Sequence, residues 1–348
     1  MLGSKLQSAA RIASTAVSAQ YYGVCFTGSF RQAIYPWSDS TGFGTRYTSP
    51  GAGFASTGFG LAFSPSNDAL VVTGGLSLDG YPWTASGFGT KYSTPVMPGA
   101  GGGQKIKFSP SGSAVAIARA GSPYISAYRW TSGSGFGSIY SDPAVPPDSA
   151  CYDVAFSPSE DAIIVASLSS PNAHAYRWTS ATGFGTKYAD FTGFFGTRQN
   201  AVVFSKTGGA VFFGAQGSPY IKAIRWTSAS GFGTAYTNPT TLPGVVSMIA
   251  VAPSGNAVAM AHNAGAFCDV YPWSDSTGFG TKYSNPTTAI ASSALGVAFS
   301  KTGGAIGIIL SLTATVLAYQ WSDSTGFGTV YSNPASLPQS APNDITFG

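Results

Sequence analysis

Seven tryptophans recur at a nearly constant spacing along the 348-residue chain, and this period limits the possible folds more than any other feature. Successive tryptophans are 46 to 48 residues apart. A fixed period of this length indicates a solenoid, a propeller or another array of small units. It overrides the two domains that length alone suggests and predicts one repeat domain over residues 20–348. The seven residues are Trp37, Trp83, Trp130, Trp178, Trp226, Trp273 and Trp321.

The composition indicates that the repeated unit is built from strands. Charged residues make up 9% of the chain, against about 25% in ordinary soluble domains. Strong helix formers are scarce, with Glu160 the one glutamate, whereas glycine (45 residues) and aromatic residues (14%) are abundant. A hydrophobic content of 44% argues against disorder. The chain is therefore predicted to be all-β.

Each repeat contains four short strand-like runs. In residues 154–188 these are VAF before a Pro-Ser turn, IIVASLS, HAYRW, and TKY after a GFG hairpin. Apolar runs of this length bounded by turn residues predict antiparallel strands. Seven such units predict a seven-bladed β-propeller of four-stranded antiparallel blades.

The two ends of the chain complete one blade between them. The C-terminal NDITFG matches the first strand of a repeat, and the N-terminal region supplies strands two to four. We therefore predict a composite blade in which residues 343–348 pair beside residues 21–27. Such closure removes exposed inner edges and holds both chain ends.

The recurrent GFG motif has two interpretations, a phosphate-binding loop or a hairpin turn. A phosphate-binding loop is followed by a helix that offers its first amides to the phosphate. Here TRY or TKY follows, which is a strand. The motif is therefore predicted to be a hairpin in which the glycines adopt positive φ.

Aromatic and basic side chains provide the candidate contact residues. A Tyr lies two residues before most of the tryptophans, on the same strand face, which predicts core packing between blades. The alternative is an aromatic carbohydrate pocket at positions such as Tyr128 and Trp130. Two Phe-rich loops and a row of arginines are candidates for partner binding. These residues are Phe54, Phe59, Phe191, Phe194, Phe195, Arg129, Arg177 and Arg225.

The sequence offers no constellation for catalysis, for a metal or for a cofactor. The two histidines, His174 and His262, lie far apart in sequence and are expected in loops or at the surface. The three cysteines have no metal-type spacing and predict free thiols. The basic residues are scattered, which argues against nucleic-acid binding. Residues 305–319 are apolar but too short for a membrane span. We therefore predict a protein that is not an enzyme and has no membrane span.

Residues 1–19 precede the repeats and have apolar positions on roughly one helical face. They are predicted to form a helical arm that either caps the ring or docks into a larger assembly. The docking residues of this arm would be Leu2, Leu6, Ile12 and Val17.

The repeat resembles WD-repeat propellers in its strand order and in its FSPSG turn, although Ser or Thr replaces Asp after the Trp. Its Trp-Ser/Thr and Gly-Phe-Gly-Thr-Lys-Tyr pattern resembles propeller-repeat proteins of tailed bacteriophages. That resemblance implies a non-enzymatic structural or interaction protein of the tail or capsid, located in the virion. Its partners would be other virion proteins and a host-surface glycan. The alternative function is a lectin-type propeller.

Overall fold

The computed structural model describes residues 19–26, 32–50, 58–99, 101–194, 196–312 and 315–348. Within these ranges the chain forms 28 strands in seven antiparallel four-stranded sheets, and no helix. The innermost strand of each sheet lies beside the innermost strands of two other sheets. The sheets therefore stand around a central channel as the blades of a propeller, and the predicted all-β, seven-bladed architecture is confirmed.

The strands of the first half of the chain are β1 (Gln20–Phe26), β2 (Gln32–Ser38), β3 (Gly42–Phe43), β4 (Gly60–Phe63), β5 (Ala69–Gly74), β6 (Ser77–Thr84), β7 (Gly87–Phe88), β8 (Gly103–Phe108), β9 (Ala114–Arg119), β10 (Ile125–Thr131), β11 (Gly135–Ile139), β12 (Cys151–Phe156), β13 (Ala162–Ser167), β14 (Ala173–Thr179) and β15 (Gly183–Lys187).

The strands of the second half are β16 (Gln199–Phe204), β17 (Ala210–Ala215), β18 (Ile221–Thr227), β19 (Gly231–Ala235), β20 (Val246–Val251), β21 (Ala257–His262), β22 (Cys268–Ser274), β23 (Gly278–Phe279), β24 (Ala294–Phe299), β25 (Ala305–Leu310), β26 (Val316–Ser322), β27 (Gly326–Val330) and β28 (Pro342–Phe347). Blade 1 is β28, β1, β2 and β3 from the channel outward, and blades 2 to 7 are the successive groups of four strands from β4 to β27.

The second strand of each blade is buried along its whole length because neighbouring blades cover both of its faces. Sequences such as AIIVAS and AIGIIL are therefore continuous apolar runs rather than alternating ones. The membrane-like segment 305–319 contains β25 and the start of β26. In the described ranges, nothing helical has the length and apolar character that crossing a bilayer requires.

Blade 1 closes the ring by pairing the two ends of the chain. Strand β28 is antiparallel to β1, with Phe347 opposite Tyr22 and Asp344 opposite Cys25. Gly348 and Tyr21 exchange two backbone hydrogen bonds beyond the end of this ladder. The pairing agrees with the predicted composite blade.

Asp344 ties the closing strand to the next two blades. Its Oδ2 accepts a hydrogen bond from the Leu61 amide of blade 2 at 3.0 Å, and its Oδ1 accepts one from Lys105 Nζ of blade 3 at 2.5 Å. Lys105 reaches blade 1 because β4 and β8 approach closely at Gly60, where a Cβ would lie 2.9 Å from the Lys105 Cα. The carboxylate of Asp344 is fully buried. Three blades therefore meet at one charged group.

The GFG motifs are hairpin turns on which the preceding blade packs. Their first glycines have φ between +80° and +99°. In blade 4, a Cβ on Gly183 would lie 2.6 Å from the ring of Tyr140, which comes from blade 3. The Tyr140 hydroxyl also donates to the Ser180 carbonyl at 2.6 Å. The second glycines do not have positive φ, so the predicted conformation holds for the first glycine of each motif and is wrong for the second.

The recurrent tryptophans form the contacts between blades. Trp178 is 1% exposed and touches Tyr140 of blade 3 and both Phe156 and Phe184 of its own blade, with ring centroids 5.0 to 5.2 Å apart. Edge-to-face geometry of this kind adds about 0.5–1.5 kcal/mol per pair beyond area burial. All seven tryptophans are buried, as packing between blades requires.

The predicted helical arm lies outside the described residues, apart from residue 19. Its four docking positions, Leu2, Leu6, Ile12 and Val17, stay predictions.

Asp344→Ala should lower the free energy of unfolding by about 3 kcal/mol, because it leaves the partly buried Lys105 ammonium without its carboxylate and the Leu61 amide without its acceptor. Urea unfolding measures the change. Asp142→Ala, at an exposed carboxylate on a connecting loop, is the matched control and should change stability by less than about 0.5 kcal/mol. Equal stability of the two variants would contradict the three-blade contact.

Gly183→Ala and Gly133→Ala separate backbone strain from packing. Both glycines have positive φ, but a Cβ at Gly133 would meet nothing within 4 Å. Gly133→Ala should therefore cost about 1 kcal/mol. Gly183→Ala should cost a further ~1–3 kcal/mol, since its Cβ collides with Tyr140. Thermal unfolding of both variants checks the difference, and equal losses would show that Tyr140 does not pack as described.

Candidate functional site

The inner strands begin at one end of the channel, and their first residues surround a cavity of about 350 Å³, which we call the strand-start mouth. Small-molecule sites typically occupy about 300–1,000 Å³. The described lining residues include two cations and no carboxylate or imidazole, so the mouth favours an anion. Its polar lining residues are Gln104, Lys105, Tyr152, Arg198, Asn200, Ser247, Asn263, Ser293 and Asn343.

Arg198 is the cation that the protein positions at this mouth. Its Nε donates to Asn200 Oδ1 at 2.6 Å, and its guanidinium lies 4.4 Å from the centre of the Tyr152 ring. Among the described residues no carboxylate lies within 4 Å of it. The amide and the aromatic ring therefore orient a guanidinium that forms no ion pair with any residue the structure describes.

Polar side chains at the mouth also join neighbouring blades. Asn200 donates to the Val246 carbonyl at 2.8 Å, Ser247 to the Ala294 carbonyl at 2.8 Å, and Asn343 to the Gly58 carbonyl at 2.7 Å. Each bond runs from one inner strand to the start of the next inner strand or its preceding loop. These side chains are held rigidly, so they present fixed hydrogen-bonding groups around the opening.

Lys105 differs from Arg198 because its ammonium is already paired with a carboxylate. Its Nζ donates to the Asn343 carbonyl at 3.0 Å and to Asp344. An ammonium has three donors, so one remains for a ligand. Lys105 is 14% exposed and lines both the mouth and the cavity deeper in the channel.

Asp153 follows Tyr152 of the mouth in sequence, as Asp344 follows Asn343, and it is a structural group. Its Oδ2 accepts from the Val202 amide of the next blade at 3.0 Å and its Oδ1 from the Val154 amide at 2.9 Å. Burial raises the pKa of Asp153, although the Lys107 charge and the Val202 amide act in the opposite direction. Both oxygens are engaged, so Asp153 is not available as a base at the mouth.

A second polar cluster lies beside the mouth, in a pocket of about 470 Å³ on the rim of blade 6. His262 and Asp269 are buried there, with His262 Nε2 3.5 Å from Asp269 Oδ2 and Lys282 Nζ 2.8 Å from Asp269 Oδ1. His262 Nδ1 accepts from the Gly244 and Ala264 amides, which leaves it without a lone pair for a substrate. The cluster is therefore a buried charge network and not a nucleophile–base pair.

The described residues contain no group of three His, Cys, Asp or Glu that could hold a metal ion. Cys25, Cys151 and Cys268 are buried free thiols, and burial raises the pKa of each. None is activated as a nucleophile. The histidines are buried at strand positions, so their expected location in loops or at the surface is wrong.

The structure disperses the Phe residues that were candidates for a contact surface. Phe59 lines the strand-start mouth. Phe191 and Phe194 stack edge to face at 5.1 Å and pack on Phe213 and Phe232 of blade 5. Their rings, on the loop between blades 4 and 5, are therefore partly covered by blade 5. Phe54 and Phe195 lie outside the described residues.

The row of arginines connects neighbouring blades. Arg129, Arg177 and Arg225 lie 4.2, 4.9 and 4.3 Å from the ring centres of outer-strand tyrosines of their own blades. Each also donates to a backbone carbonyl in the hairpin of the following blade. The donors thus have partners within the protein, and the acidic-partner interpretation of this row stays a prediction without support from the geometry.

The aromatic carbohydrate pockets of the lectin alternative are closed. Tyr128 is 1% exposed and Trp130 is 5% exposed. The space between the blades is filled by Tyr92, Phe108 and Phe136, so no sugar ring could stack there.

Sequence reasoning missed Arg198, Asn200 and Lys105 as a group because they belong to three different positions of the repeat. The sequence signal that could have identified them is the residue pattern at the start of each inner strand. There the apolar pattern is interrupted by polar residues that differ from blade to blade. Where the residue type varies from blade to blade within an otherwise regular repeat, the fold does not require a particular side chain.

No protein-family model matches the sequence, and no curated protein matches it. Solved structures match the fold. A "putative 6-phosphogluconolactonase" from Bacteroides fragilis has a TM-score of 0.76 and 12% identity, covering 96% of this chain and 99% of its own. Another protein of that description, from Bacteroides uniformis, has a TM-score of 0.74 and 12% identity, with 95% and 99% covered. A mitotic checkpoint complex structure scores 0.57 at 12% identity, with 79% and 80% covered.

These neighbours correct the predicted function. The expectation of a non-enzymatic virion protein is contradicted, because proteins that share the fold over nearly the whole chain bear an enzyme's name. The prediction that the chain is not an enzyme is contradicted for the same reason. At this identity the likeness establishes the fold alone, and it shows no phage homologue. The expected virion location, virion partners and surface glycan stay predictions.

The buried Asp269 provides a test by pH. Burial alone would raise its pKa, but the His262 ring at 3.5 Å and the Lys282 ammonium at 2.8 Å outweigh burial and lower it. The carboxylate is therefore more acidic in the folded than in the unfolded state, where its pKa is about 3.9. Its contribution to stability is present above about pH 4 and is lost as the pH falls further.

Wild type should exceed Asp269→Asn in stability most at pH 6, with the difference in free energy of unfolding narrowing toward pH 2. Urea unfolding across this range measures it, and a constant gap would contradict the assignment.

Proposed function

We propose that this protein binds a phosphorylated sugar lactone in the strand-start mouth and hydrolyses its ring ester. The observation that carries the proposal is Arg198, an oriented guanidinium without a carboxylate partner among the described residues, at a cavity of ligand size. The names of the two Bacteroides neighbours support the substrate class.

In this proposal Arg198 binds the phosphate. A guanidinium presents paired N–H donors that match phosphate oxygens, and such charge-assisted bonds are stronger than neutral ones. The amide groups of Gln104 and Asn343 border the same opening and suit the sugar hydroxyls.

Lys105 would act on the ester. Its free N–H can donate to the carbonyl oxygen and stabilise the negative charge that forms there when water attacks. The water oxygen bonds to the carbonyl carbon, and the ring C–O bond then breaks. The ring oxygen takes a proton and becomes a hydroxyl, and the new carboxylic acid releases a proton. Because no described lining residue is a carboxylate or imidazole, we expect electrophilic assistance without a protein base.

Two substrates and one variant test this function. The wild type should hydrolyse 6-phosphoglucono-δ-lactone, and Arg198→Met should raise KM about 10–100-fold, as expected for the loss of a bond worth about 1.5–3 kcal/mol. Glucono-δ-lactone lacks the phosphate, so its hydrolysis should respond little to Arg198→Met. Proton release, corrected for spontaneous hydrolysis, measures both reactions.

Arg46→Met, on the outer rim, is the matched control and should leave KM unchanged. Calorimetry with 6-phosphogluconate separates binding from chemistry. An absence of both turnover and saturable binding would contradict the proposed function, as would equal effects of Arg198→Met on both lactones.

A further inference from the structure

The other end of the channel has a second opening, of about 780 Å³, formed where the inner strands end and turn into the second strands. We call it the lysine funnel, after Lys107, Lys206 and Lys301. The rest of its lining is mainly apolar. Its Phe and Pro residues are Phe63, Pro65, Phe108, Pro110, Phe156, Pro158, Phe204, Pro253 and Phe299.

Two of the three lysines are departures from the repeat. Lys206 and Lys301 occupy the turn position that is Pro65, Pro110 and Pro158 in other blades. Both are exposed, so they are not required to fill the core. The fold accepts a proline at this position, so the turn itself does not require these ammonium groups, although Lys301 Nζ also donates to Asn67 Oδ1 of blade 2.

The lining of the funnel is positively charged, and Asp153, on whose pKa the Lys107 charge acts, lines the deeper cavity instead. The funnel's described lining contains three lysines and no carboxylate, and none of the three lies within 4 Å of a carboxylate among the described residues. The neighbouring acids Asp39 and Asp275 are engaged elsewhere. Each accepts from the tryptophan indole of its own hairpin and from a threonine hydroxyl, Thr302 or Thr207, in a turn of the preceding blade of the ring. The opening therefore attracts an anion.

The geometry points to an acidic peptide with aliphatic side chains as the occupant, and we propose that the lysine funnel docks such a segment of a partner protein. The prolines, together with Ala62, Val203 and Val251, offer apolar surface to the aliphatic groups, and the lysines pair with the carboxylates. The funnel is several times larger than a single side chain needs and is open to solvent.

Two other occupants fit less well. Single-stranded nucleic acid needs exposed aromatic faces for its bases. The funnel's phenylalanines are largely buried and packed edge to face on tryptophans, for example Phe204 on Trp226 and Phe299 on Trp321. The chain's own residues 1–18 precede Ala19, whose carbonyl accepts a hydrogen bond from Asn67 Nδ2 near the rim. That segment contains two basic residues and no acidic one, so like charges oppose its entry.

Fluorescence anisotropy with the full-length protein tests the proposal. The probe is a labelled acetyl-Asp-Leu-Asp-Leu-Asp peptide, and the comparison peptides are Lys-Leu-Lys-Leu-Lys and Asp-Ser-Asp-Ser-Asp. We expect saturable binding of the first peptide, at least tenfold tighter than of either comparison. The double variant Lys206→Gln/Lys301→Gln should weaken it at least tenfold, with the same thermal midpoint as wild type. Arg46→Gln should bind as wild type does.

Several results would overturn the proposal. The proposal fails if the acidic peptide shows no saturable binding, or if the three peptides bind equally. It also fails if the double variant binds the acidic peptide as tightly as wild type does. Tighter binding of an oligothymidine would assign the funnel to nucleic acid instead. A tenfold gain in peptide affinity on deleting residues 2–18 would make the N-terminal segment the occupant. Competition by 6-phosphogluconate would place the peptide at the strand-start mouth, so the test is independent of the proposed enzymatic function.

Discussion

The structure depends on the contact that each blade makes with the next one. A single four-stranded sheet cannot cover both of its own faces, so the aromatic residues of a blade are buried only when a neighbour packs on them. Tyr140, Trp178 and Phe184 show the unit of this contact, in which one blade's outer strand lies over the next blade's hairpin. Because every blade needs two neighbours, the ring has to close, and β28 provides the closure.

Polar residues also join neighbouring blades, and side-chain groups that are bonded in this way are not free to bind a ligand. Arg177 spans two blades on the outer side, and Asp153 and Asp344 span them along the channel. On the turn side, Asp275 accepts from Thr207 of the preceding blade, whereas Asp68 accepts from Ser132 of the following one. Among the described residues, the cations that line the two ends of the channel without a carboxylate within 4 Å are Arg198 at one end and Lys107, Lys206 and Lys301 at the other.

The fold was predictable from the sequence because its determinants are local. Strand length, turn residues and the tryptophan period specify seven blades, and the unmatched first strand at the C-terminus specifies the closure. The roles of individual polar residues were not predictable, because their partners come from other blades. From the sequence alone, Arg129 is a candidate for a solvent-exposed charge that could bind a partner. In the structure its guanidinium lies over the Tyr140 ring and donates to the Ala181 carbonyl of the next blade. Arg198 belongs to no motif, and only the ring places it with Lys105 and Asn343 at one opening.

Hydrogen exchange with and without 6-phosphogluconate tests most directly the claim that the channel ends, and not the blade surfaces, bind ligands. The account predicts slower exchange at the starts of β8, β12 and β16, in the segments that contain Gln104, Tyr152 and Asn200. Exchange in the GFG hairpins and in the outer strands should be unchanged. Protection confined to the hairpins or outer strands, or no protection at saturating ligand, would contradict it.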